Sequence, residues 1–312
     1  MTQGTEVAQP STGHAEFDGL IRESQAWLAE RGEMIVGSGC FRLGRLFGSV
    51  HTHFGPEDQD KVANQDYALA WWPFAAGIQK RLRFVLAMAD GLTTSFRSEC
   101  ASALACWVAV RALVEADPAT DPRALAEHAF NEAGQAIGRL ADELACNPEA
   151  SCPAGQFLST WKYILRKGAL FQTTLTLAWL DQDFLRVAMV GDGGVLWRGY
   201  RGQSRGPQAT DQILAQCDQD SQQVYALGPA DRCVREFDCW REENLHGPFM
   251  CALHTDGVGR GLGGNLLALL DELENLQAEG VQNTARRFIE QAIEQHPKDF
   301  SDNLTLAVIR AE

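Results

Sequence analysis

The protein has 312 residues, with 27 Lys and Arg against 41 Asp and Glu, so its formal net charge is −14. A general nucleic-acid-binding surface needs clustered basic side chains to neutralise phosphates, and this excess of acid argues against that class. The composition, 45% hydrophobic and 22% charged, is typical of a globular protein with a sizeable core. No apolar run reaches the roughly 18 residues of a membrane span, and the N-terminus lacks a signal-peptide pattern, so we expect a cytoplasmic protein that binds no membrane.

The first half of the chain predicts one helix, several strands and then two helices. Residues 1–14 are polar and without periodicity, which predicts a flexible N-terminal tail. Apolar residues at helical spacing predict a helix from Phe17 to Leu28. The Ala-rich run Ser98–Ala116 and the segment Pro122–Cys146 predict two successive helices. Short apolar runs between Gly, Pro and charged residues predict strands, namely Met34–Val36, Tyr67–Trp72 and Phe84–Ala89.

The second half returns to strands. Residues 147–167 are predicted to be an irregular insertion with a short helical turn around Trp161–Leu165, and residues 202–223 a polar, Gln-rich loop. Three runs between these segments predict an antiparallel meander, namely Leu170–Leu180, Phe184–Val190 and Val195–Arg198. The remaining predicted elements are a strand, two helices and a last strand: Phe249–His254, Asn265–Leu276, Thr284–Gln295 and Leu304–Ile309. This order, with no linker-like segment, predicts one α+β domain over residues 15–312 with helical layers around sheets.

Five isolated aspartates stand at the ends of predicted strands or in the turns between them: Asp66, Asp90, Asp192, Asp256 and Asp302. Three of them are followed by Gly, and since Asp-Gly is common turn chemistry, any one alone would indicate only a turn. Five such aspartates at the edges of the predicted sheets indicate more than turns. Mg²⁺ and Mn²⁺ prefer oxygen ligands, and two such ions can share carboxylates. The glycine after Asp90 would also let a backbone carbonyl approach a cation closely.

Several short motifs around these aspartates resemble those of the metal-dependent protein phosphatases of the PP2C (PPM) family. The segment DGLTTSFRSECAS, residues 90–102, aligns without gaps on the family pattern DGMGGHxxGExAS. Five further motifs follow the family order and resemble N-[EQ]-D, GTTL, VGDSR, TDG and DNxT, respectively Asn64–Asp66, Thr173–Leu175, Val190–Asp192, Thr255–Gly257 and Asp302–Thr305. Each motif is short, but together they extend from about residue 45 to about residue 310.

The resemblance implies a fold and a set of site residues. The fold is a four-layer α-β-β-α sandwich, in which two antiparallel sheets are flanked by helices. Two core Mn²⁺ or Mg²⁺ ions would be bound by Asp66, Asp90, the Gly91 carbonyl, Asp256 and Asp302. Asp192, with Asp256, would hold a weaker third ion. Lys61 stands where family members often place an Arg that binds the substrate phosphate.

The implied activity is hydrolysis of phosphoserine or phosphothreonine on a protein substrate by a metal-bridging hydroxide, with no protein nucleophile. A cognate Ser/Thr kinase is the implied partner, and residues 202–223 lie where the family carries a variable flap over the site. The chain departs from the family pattern where Gly-Gly-His is replaced by Thr93-Thr94-Ser95 and where the Gly of GTTL is Gln172. A catalytically inactive binding or regulatory module of the same fold is therefore the alternative.

Three other patterns have simpler interpretations. Residues 259–264 satisfy G-x-G-x-x-G, but two helices follow and no acid-terminated strand lies about 20 residues on, so a loop beside the site is favoured over a dinucleotide site. His51 and His53 could bind a metal as a pair, and one of them could serve as proton donor, or both could be strand-surface or loop residues. His254 is predicted to pack in the core. The nine cysteines are predicted to be mostly reduced thiols. The pair Cys146 and Cys152 is the candidate exception.

Overall fold

The computed structural model describes residues 15–55, 64–74, 82–92, 95–117, 119–149, 151, 157–167, 170–181, 183–203, 206–215, 226–228, 237–245 and 247–312. The predicted tail over residues 1–14, the candidate phosphate-binding Lys61 and the pair Thr93-Thr94 lie outside these residues. Parts of the predicted 147–167 insertion and 202–223 loop do so as well.

The described residues form seven helices and twelve strands. The helices are α1 (Ala15–Ala29), α2 (Ser98–Glu115), α3 (Pro122–Cys146), α4 (Leu158–Lys167), α5 (Asp256–Gly261), α6 (Leu266–Ala278) and α7 (Thr284–Gln295). The strands are β1 (Gly32–Val36), β2 (Gly39–Leu43), β3 (Leu46–His53), β4 (Tyr67–Pro73), β5 (Leu82–Ala89), β6 (Leu175–Asp181), β7 (Phe184–Val190), β8 (Gly194–Gln203), β9 (Gly206–Ala215), β10 (Cys239–Asn244), β11 (Phe249–His254) and β12 (Leu304–Ala311).

The strands form two antiparallel sheets of six strands each. The first sheet has the order β1-β4-β5-β6-β7-β10, and the second has the order β2-β3-β12-β11-β8-β9. Strand β12, the last in the chain, pairs with β3 on one side and β11 on the other, so it lies inside the second sheet. The predicted fold class, a four-layer α-β-β-α sandwich, is confirmed.

The layers follow from the two-residue period of the strands. Along β4, Leu69 and Trp71 belong to the core beneath α2 and α3, whereas Ala68, Ala70 and Trp72 belong to the core between the sheets. On the second sheet, apolar side chains on the outer face of β8, β11 and β12 form a third core with α6 and α7. Helix α2 is buried on nearly all sides because it lies between the first sheet and its neighbours α1 and α3.

Most predicted elements are confirmed within a few residues, and several match to the residue, for example Pro122–Cys146 and Thr284–Gln295. The start of α3 has a clear local cause: Pro122 stands at its first position, and the Asp121 carboxylate accepts hydrogen bonds from the backbone N–H groups of Arg123 and Ala124. The turn predicted around Trp161–Leu165 is a full helix, α4, and Trp161 anchors it by packing against Phe96.

Two predictions about the strands are wrong. The meander does not continue into β8, because the chain leaves the first sheet after β7 and β8 pairs with β9 and β11 in the second. Gly194 permits this crossing, since a Cβ there would lie 2.1 Å from Nε2 of His254. The polar loop predicted over residues 202–223 is in part a strand, β9, whose polar sequence suits the edge of the sheet where it lies.

Among the described residues, no helix combines the length and apolar character needed to cross a membrane.

Candidate metal centre

The five candidate aspartates lie on connections at one edge of the paired sheets. Asp66 precedes β4 and Asp90 follows β5, while Asp192 lies in the crossing from β7 to β8. Asp256 begins α5 directly after β11, and Asp302 precedes β12. Both sheets therefore contribute, and the aspartates that the sequence separates by more than 200 residues meet in space.

Three of the carboxyl groups are in direct contact. The carboxyl groups of Asp66 and Asp256 lie close enough to that of Asp90 to act on its protonation. Burial, together with the charges of Asp66 and Asp256, raises the pKa of Asp90 well above its usual range. Carboxyl groups this close cannot all ionise at neutral pH unless a cation offsets their charge.

Asp66 is the most enclosed member of the cluster. One oxygen, Oδ2, accepts a hydrogen bond of 2.9 Å from the Thr255 hydroxyl, whereas Oδ1 is buried with no partner. Burial, and to a smaller degree the charge of Asp256, raises the pKa of Asp66 to about 7 against several lowering hydrogen bonds. An unpartnered carboxylate oxygen inside a protein costs free energy, and a cation is one partner that would satisfy it.

Backbone contacts fix the Asp90-Gly91 turn. The Asp90 carbonyl accepts from the Thr174 N–H at 2.8 Å, and its own N–H donates to the Thr174 hydroxyl at 3.1 Å. Gly91 donates to the Gln65 carbonyl at 3.1 Å, which ties this turn to the segment that carries Asp66. A Cβ at position 91 would lie 2.7 Å from Cβ of Ser98, so only glycine fits beside the start of α2.

Asp192 is positioned by the glycine that precedes it. Gly191 has φ +117°, and a Cβ there would lie 2.5 Å from Thr174, the same residue that holds Asp90. Burial first, and then the nearby charge of Asp256, raises the pKa of Asp192 to about 6. The structure thus brings Asp192 to the edge of the cluster, next to Asp256.

Asp256 and Asp302 are brought together by close backbone packing. A Cβ on Gly257 would lie 2.2 Å from the Asn303 carbonyl, so the turn that carries Asp302 rests directly on the start of α5. The guanidinium of Arg260, one helical turn after Asp256, contacts Oδ2 of Asp256 and donates to Oδ2 of Asp302 at 3.2 Å. Arg260 was not among the predicted site residues, because residues 259–264 were predicted to be a loop rather than the end of a helix.

The two departures from the family motifs contact each other. The Ser95 hydroxyl accepts from the Gln172 N–H at 2.8 Å, and the Gln172 carbonyl accepts from the Leu92 N–H at 3.1 Å. The segment after Gly91 is therefore held to the strand segment before β6 by hydrogen bonds. Arg97 completes the connection in a left-handed conformation, with φ 56°, just before α2 begins.

The donor set fits a hard divalent cation in its chemistry. Every candidate ligand offers oxygen, and Asp66 Oδ1 is an orphaned buried acceptor. No group of three or more His, Cys, Asp or Glu side chains among the described residues is already spaced to hold a metal ion. The carboxyl groups of Asp66, Asp90 and Asp256 would therefore have to move relative to one another to admit one.

The three histidines considered from the sequence all lie in strands of the second sheet. His254 is fully buried in β11, as predicted, and its Nδ1 is hydrogen-bonded to the Thr255 carbonyl at 2.9 Å. His51 and His53 lie half-buried on β3 with ring centroids 6.0 Å apart, and His51 Nδ1 is hydrogen-bonded to Ser38 at 2.8 Å. Burial lowers the pKa of both, that of His51 to about 4, so both rings are neutral at neutral pH. The G-x-G-x-x-G segment is the end of α5 and the turn into α6.

Solved structures with this fold include two that are described as serine/threonine phosphatases. The Mycobacterium tuberculosis serine/threonine phosphatase PstP/Ppp superposes with a TM-score of 0.56 at 19% identity, covering 86% of this chain and 99% of that one. The PstP catalytic domain in complex with two manganese ions gives 0.54 at 18%, with the same coverage. PppA, a regulatory component of the type VI secretion system in Pseudomonas aeruginosa, gives 0.56 at 14%, again covering 86% and 99%. At these identities the likeness establishes the fold.

The family follows from the sequence itself. Residues 48–295 match the family model described as protein phosphatase 2C, which is well over half of the chain. The chain belongs to the protein phosphatase 2C family. A search of curated proteins gave no significant match.

Proposed function

We propose that this protein is a Mn²⁺- or Mg²⁺-dependent phosphatase that hydrolyses phosphoserine and phosphothreonine in protein substrates. The observation that carries the proposal is the meeting of Asp66, Asp90 and Asp256 in one largely buried cluster, with Asp302 and Asp192 beside it. A buried group of like charges is costly, and a protein retains one where a function requires it. Membership of the protein phosphatase 2C family supports the same conclusion.

The proposed ligands divide between two core ions. Asp66, Asp90 and the Gly91 carbonyl would hold one, Asp90 and Asp66 being the candidates for shared ligands, and Asp256 and Asp302 would complete the shell of the other. Asp192 with Asp256 would hold a weaker third ion. When bound, such ions lower the pKa of water and offset negative charge on a phosphoryl group.

The protein's own groups orient these ligands. The Thr255 hydroxyl donates to Asp66 Oδ2 and accepts from the Thr305 N–H at 3.0 Å, so Asp66 is anchored to the second sheet. Asp90 is held to the first sheet by its hydrogen bonds with Thr174, and Gly91 by its hydrogen bond to Gln65. Orientation by such outer contacts is what makes a metal centre selective and strong.

Four buried cysteines of the described residues are poor candidates for a cysteine-based phosphatase mechanism. Burial raises the pKa of Cys100 to about 12, and it raises the pKa of Cys106, Cys239 and Cys251 as well. A thiol attacks phosphorus as the thiolate, and these four thiols are protonated at neutral pH.

Substrate recognition is proposed from the family resemblance. Lys61 would bind the substrate phosphate as a point charge, without the two-pronged geometry of an arginine. Residues 202–223, which include β9, would act as the flap that selects the phosphoprotein, and a Ser/Thr kinase acting on the same substrate would be the functional partner.

The direct test is hydrolysis of p-nitrophenyl phosphate and of a phosphothreonine peptide by the full chain with Mn²⁺. We expect turnover that EDTA abolishes and that Asp256→Asn lowers by about 100-fold or more, since even outer partners of a metal centre are worth about 10- to 100-fold. The matched control is Asp299→Asn, an exposed aspartate three residues from Asp302, which should leave the rate unchanged.

Absence of hydrolysis at high Mn²⁺ in a folded protein would overturn the enzyme proposal. Retained binding of a phosphopeptide under those conditions would instead establish the second candidate, a catalytically inactive binding module. The replacement of Gly-Gly-His by Thr93-Thr94-Ser95 and the ion pairs of Arg260 with Asp256 and Asp302 are the observations that favour it.

A further inference from the structure

Arg260 stands among the proposed metal ligands as an internal cation. Its guanidinium contacts Asp256 through Nη2 and Asp302 through Nη1, and so bridges two carboxylates that come from different connections. Its charge also acts on Asp192, where it lowers the pKa against the larger raising effects of burial and Asp256. An arginine keeps its charge at every accessible pH, so this cation cannot be removed by deprotonation.

The exposure of the two partners differs sharply. The Arg260 side chain is 54% exposed, whereas the side chain of Asp256 is 9% exposed. The guanidinium therefore covers the acidic cluster from the solvent side, and it has room to swing outward without opening the core.

We propose that Arg260 is a built-in counter-ion that holds Asp256 and Asp302 together and competes with the divalent cation for the same carboxylate oxygens. This inference rests on the proposed metal centre. A divalent ion at Asp256 and Asp302 would bind carboxylate groups that Arg260 already contacts through their Oδ2 atoms, and the two neighbouring cations would repel each other. Arg260 must withdraw before the second ion is bound, and it thereby sets the metal concentration at which the site fills.

Two effects of opposite sign follow from removing the guanidinium. Without metal, the loss of the counter-ion increases the repulsion within the aspartate cluster, so the protein becomes less stable. With metal, the competitor is gone, so the ion binds more tightly. A residue that only packed against the site would lower both properties together.

The experiment is titration of the full-length protein with MnCl₂ by isothermal calorimetry, comparing wild type with Arg260→Gln. We expect Mn²⁺ to bind Arg260→Gln about 3- to 30-fold more tightly, the value of two exposed ion pairs. In EDTA, the same variant should melt about 1 to 4 °C lower than wild type. Arg260→Lys, which keeps the charge but not the two-pronged contact, should give an intermediate affinity, and it serves if Arg260→Gln does not fold.

The matched control is Arg286→Gln. Arg286 has the same exposure, 54%, and forms a similar i,i+4 ion pair within its own helix, but its partner, at 2.7 Å, is Glu290 rather than an aspartate of the cluster. It removes the same charge, so it should bind Mn²⁺ as wild type does. If both variants bind Mn²⁺ more tightly by the same factor, the change in net charge explains the effect, and the inference is wrong.

Unchanged or weaker Mn²⁺ binding by Arg260→Gln would also overturn it, as would the absence of Mn²⁺ binding by every form of the protein. Tighter Mn²⁺ binding by Arg260→Gln supports it even when no form hydrolyses a phosphoester, in which case only the proposed phosphatase activity fails.

Discussion

Asp66 shows at the scale of one residue how the site differs from an ordinary turn. Its side chain is 4% exposed, and one oxygen has a donor while the other has none. Because burial raises its pKa to about 7, the folded protein holds this proton more tightly than the unfolded chain does. Stability should therefore fall as the pH rises from about 4 to about 7, since the folded state must give up a proton it prefers to keep.

Replacing Asp66 with Asn removes this pH dependence. In EDTA, the unfolding free energy of Asp66→Asn relative to wild type should increase by about 1 to 3 kcal/mol between pH 4 and pH 8, because only wild type has to ionise. Urea unfolding at the two pH values measures it, with Asp299→Asn as the control. A difference between variant and wild type that is the same at both pH values would contradict the raised pKa.

At the scale of elements, glycines decide how closely the connections approach one another. Gly91 lies against the first residue of α2, Gly191 against Thr174, and Gly257 against the Asn303 carbonyl. Each of the three is next to a candidate ligand in the sequence. The aspartates can meet because their neighbours have no side chain to hold the elements apart.

Gly91→Ala tests this close approach. The added Cβ would lie 2.7 Å from Cβ of Ser98 and 2.8 Å from its backbone carbon, so α2 must shift, and we expect a loss of about 1 to 3 kcal/mol as for other overpacked sites. Gly19→Ala in α1 meets nothing within 4 Å and should raise stability by about 0.5 to 1 kcal/mol. Thermal or urea unfolding gives both values, and equal effects at the two positions would refute the steric explanation.

The element scale also shows where sequence reasoning failed. Helices with clear apolar periodicity and caps were predicted well, as α3 and α7 show. The edge strands β9 and β10 were missed because they carry polar or charged residues, such as Arg241 and Glu242, that suit a solvent-exposed edge. Nothing in the sequence of β8 told which sheet it would join.

The candidate ligands of the site could be predicted from the sequence, but the contacts around them could not. Short motifs identified the five aspartates, and the structure brings them to one edge. The hydrogen bond between Ser95 and Gln172 joins positions 77 residues apart, and the Arg260 contacts depend on a helical turn that Gly-rich residues 259–264 did not suggest. Both are products of tertiary packing, which outweighs local propensity.

At the scale of the whole molecule, the cluster is a concentration of negative charge in a protein whose net charge is already −14. A bound divalent ion would relieve the local repulsion and would bind only the folded state. Ligands of that kind stabilise a protein by mass action.

Mn²⁺ should therefore raise the melting temperature. At a concentration about 100 times its dissociation constant it contributes about 2.7 kcal/mol, which corresponds to roughly 5 °C for a protein of this size. Differential scanning fluorimetry with MnCl₂ and then with EDTA measures the shift and its reversal. Asp256→Asn should lose most of the shift, and a full shift in that variant would exclude Asp256 as a ligand.

The position of β12 has a consequence for how the protein matures. This strand lies between β3 and β11, and it follows directly after Asp302, while Thr305 within it holds the Thr255 hydroxyl that orients Asp66. The second sheet is complete only when β12 lies between β3 and β11. The contacts that orient Asp66 form at the same step. If the cluster binds a metal ion as proposed, we expect metal binding to report that the second sheet is complete.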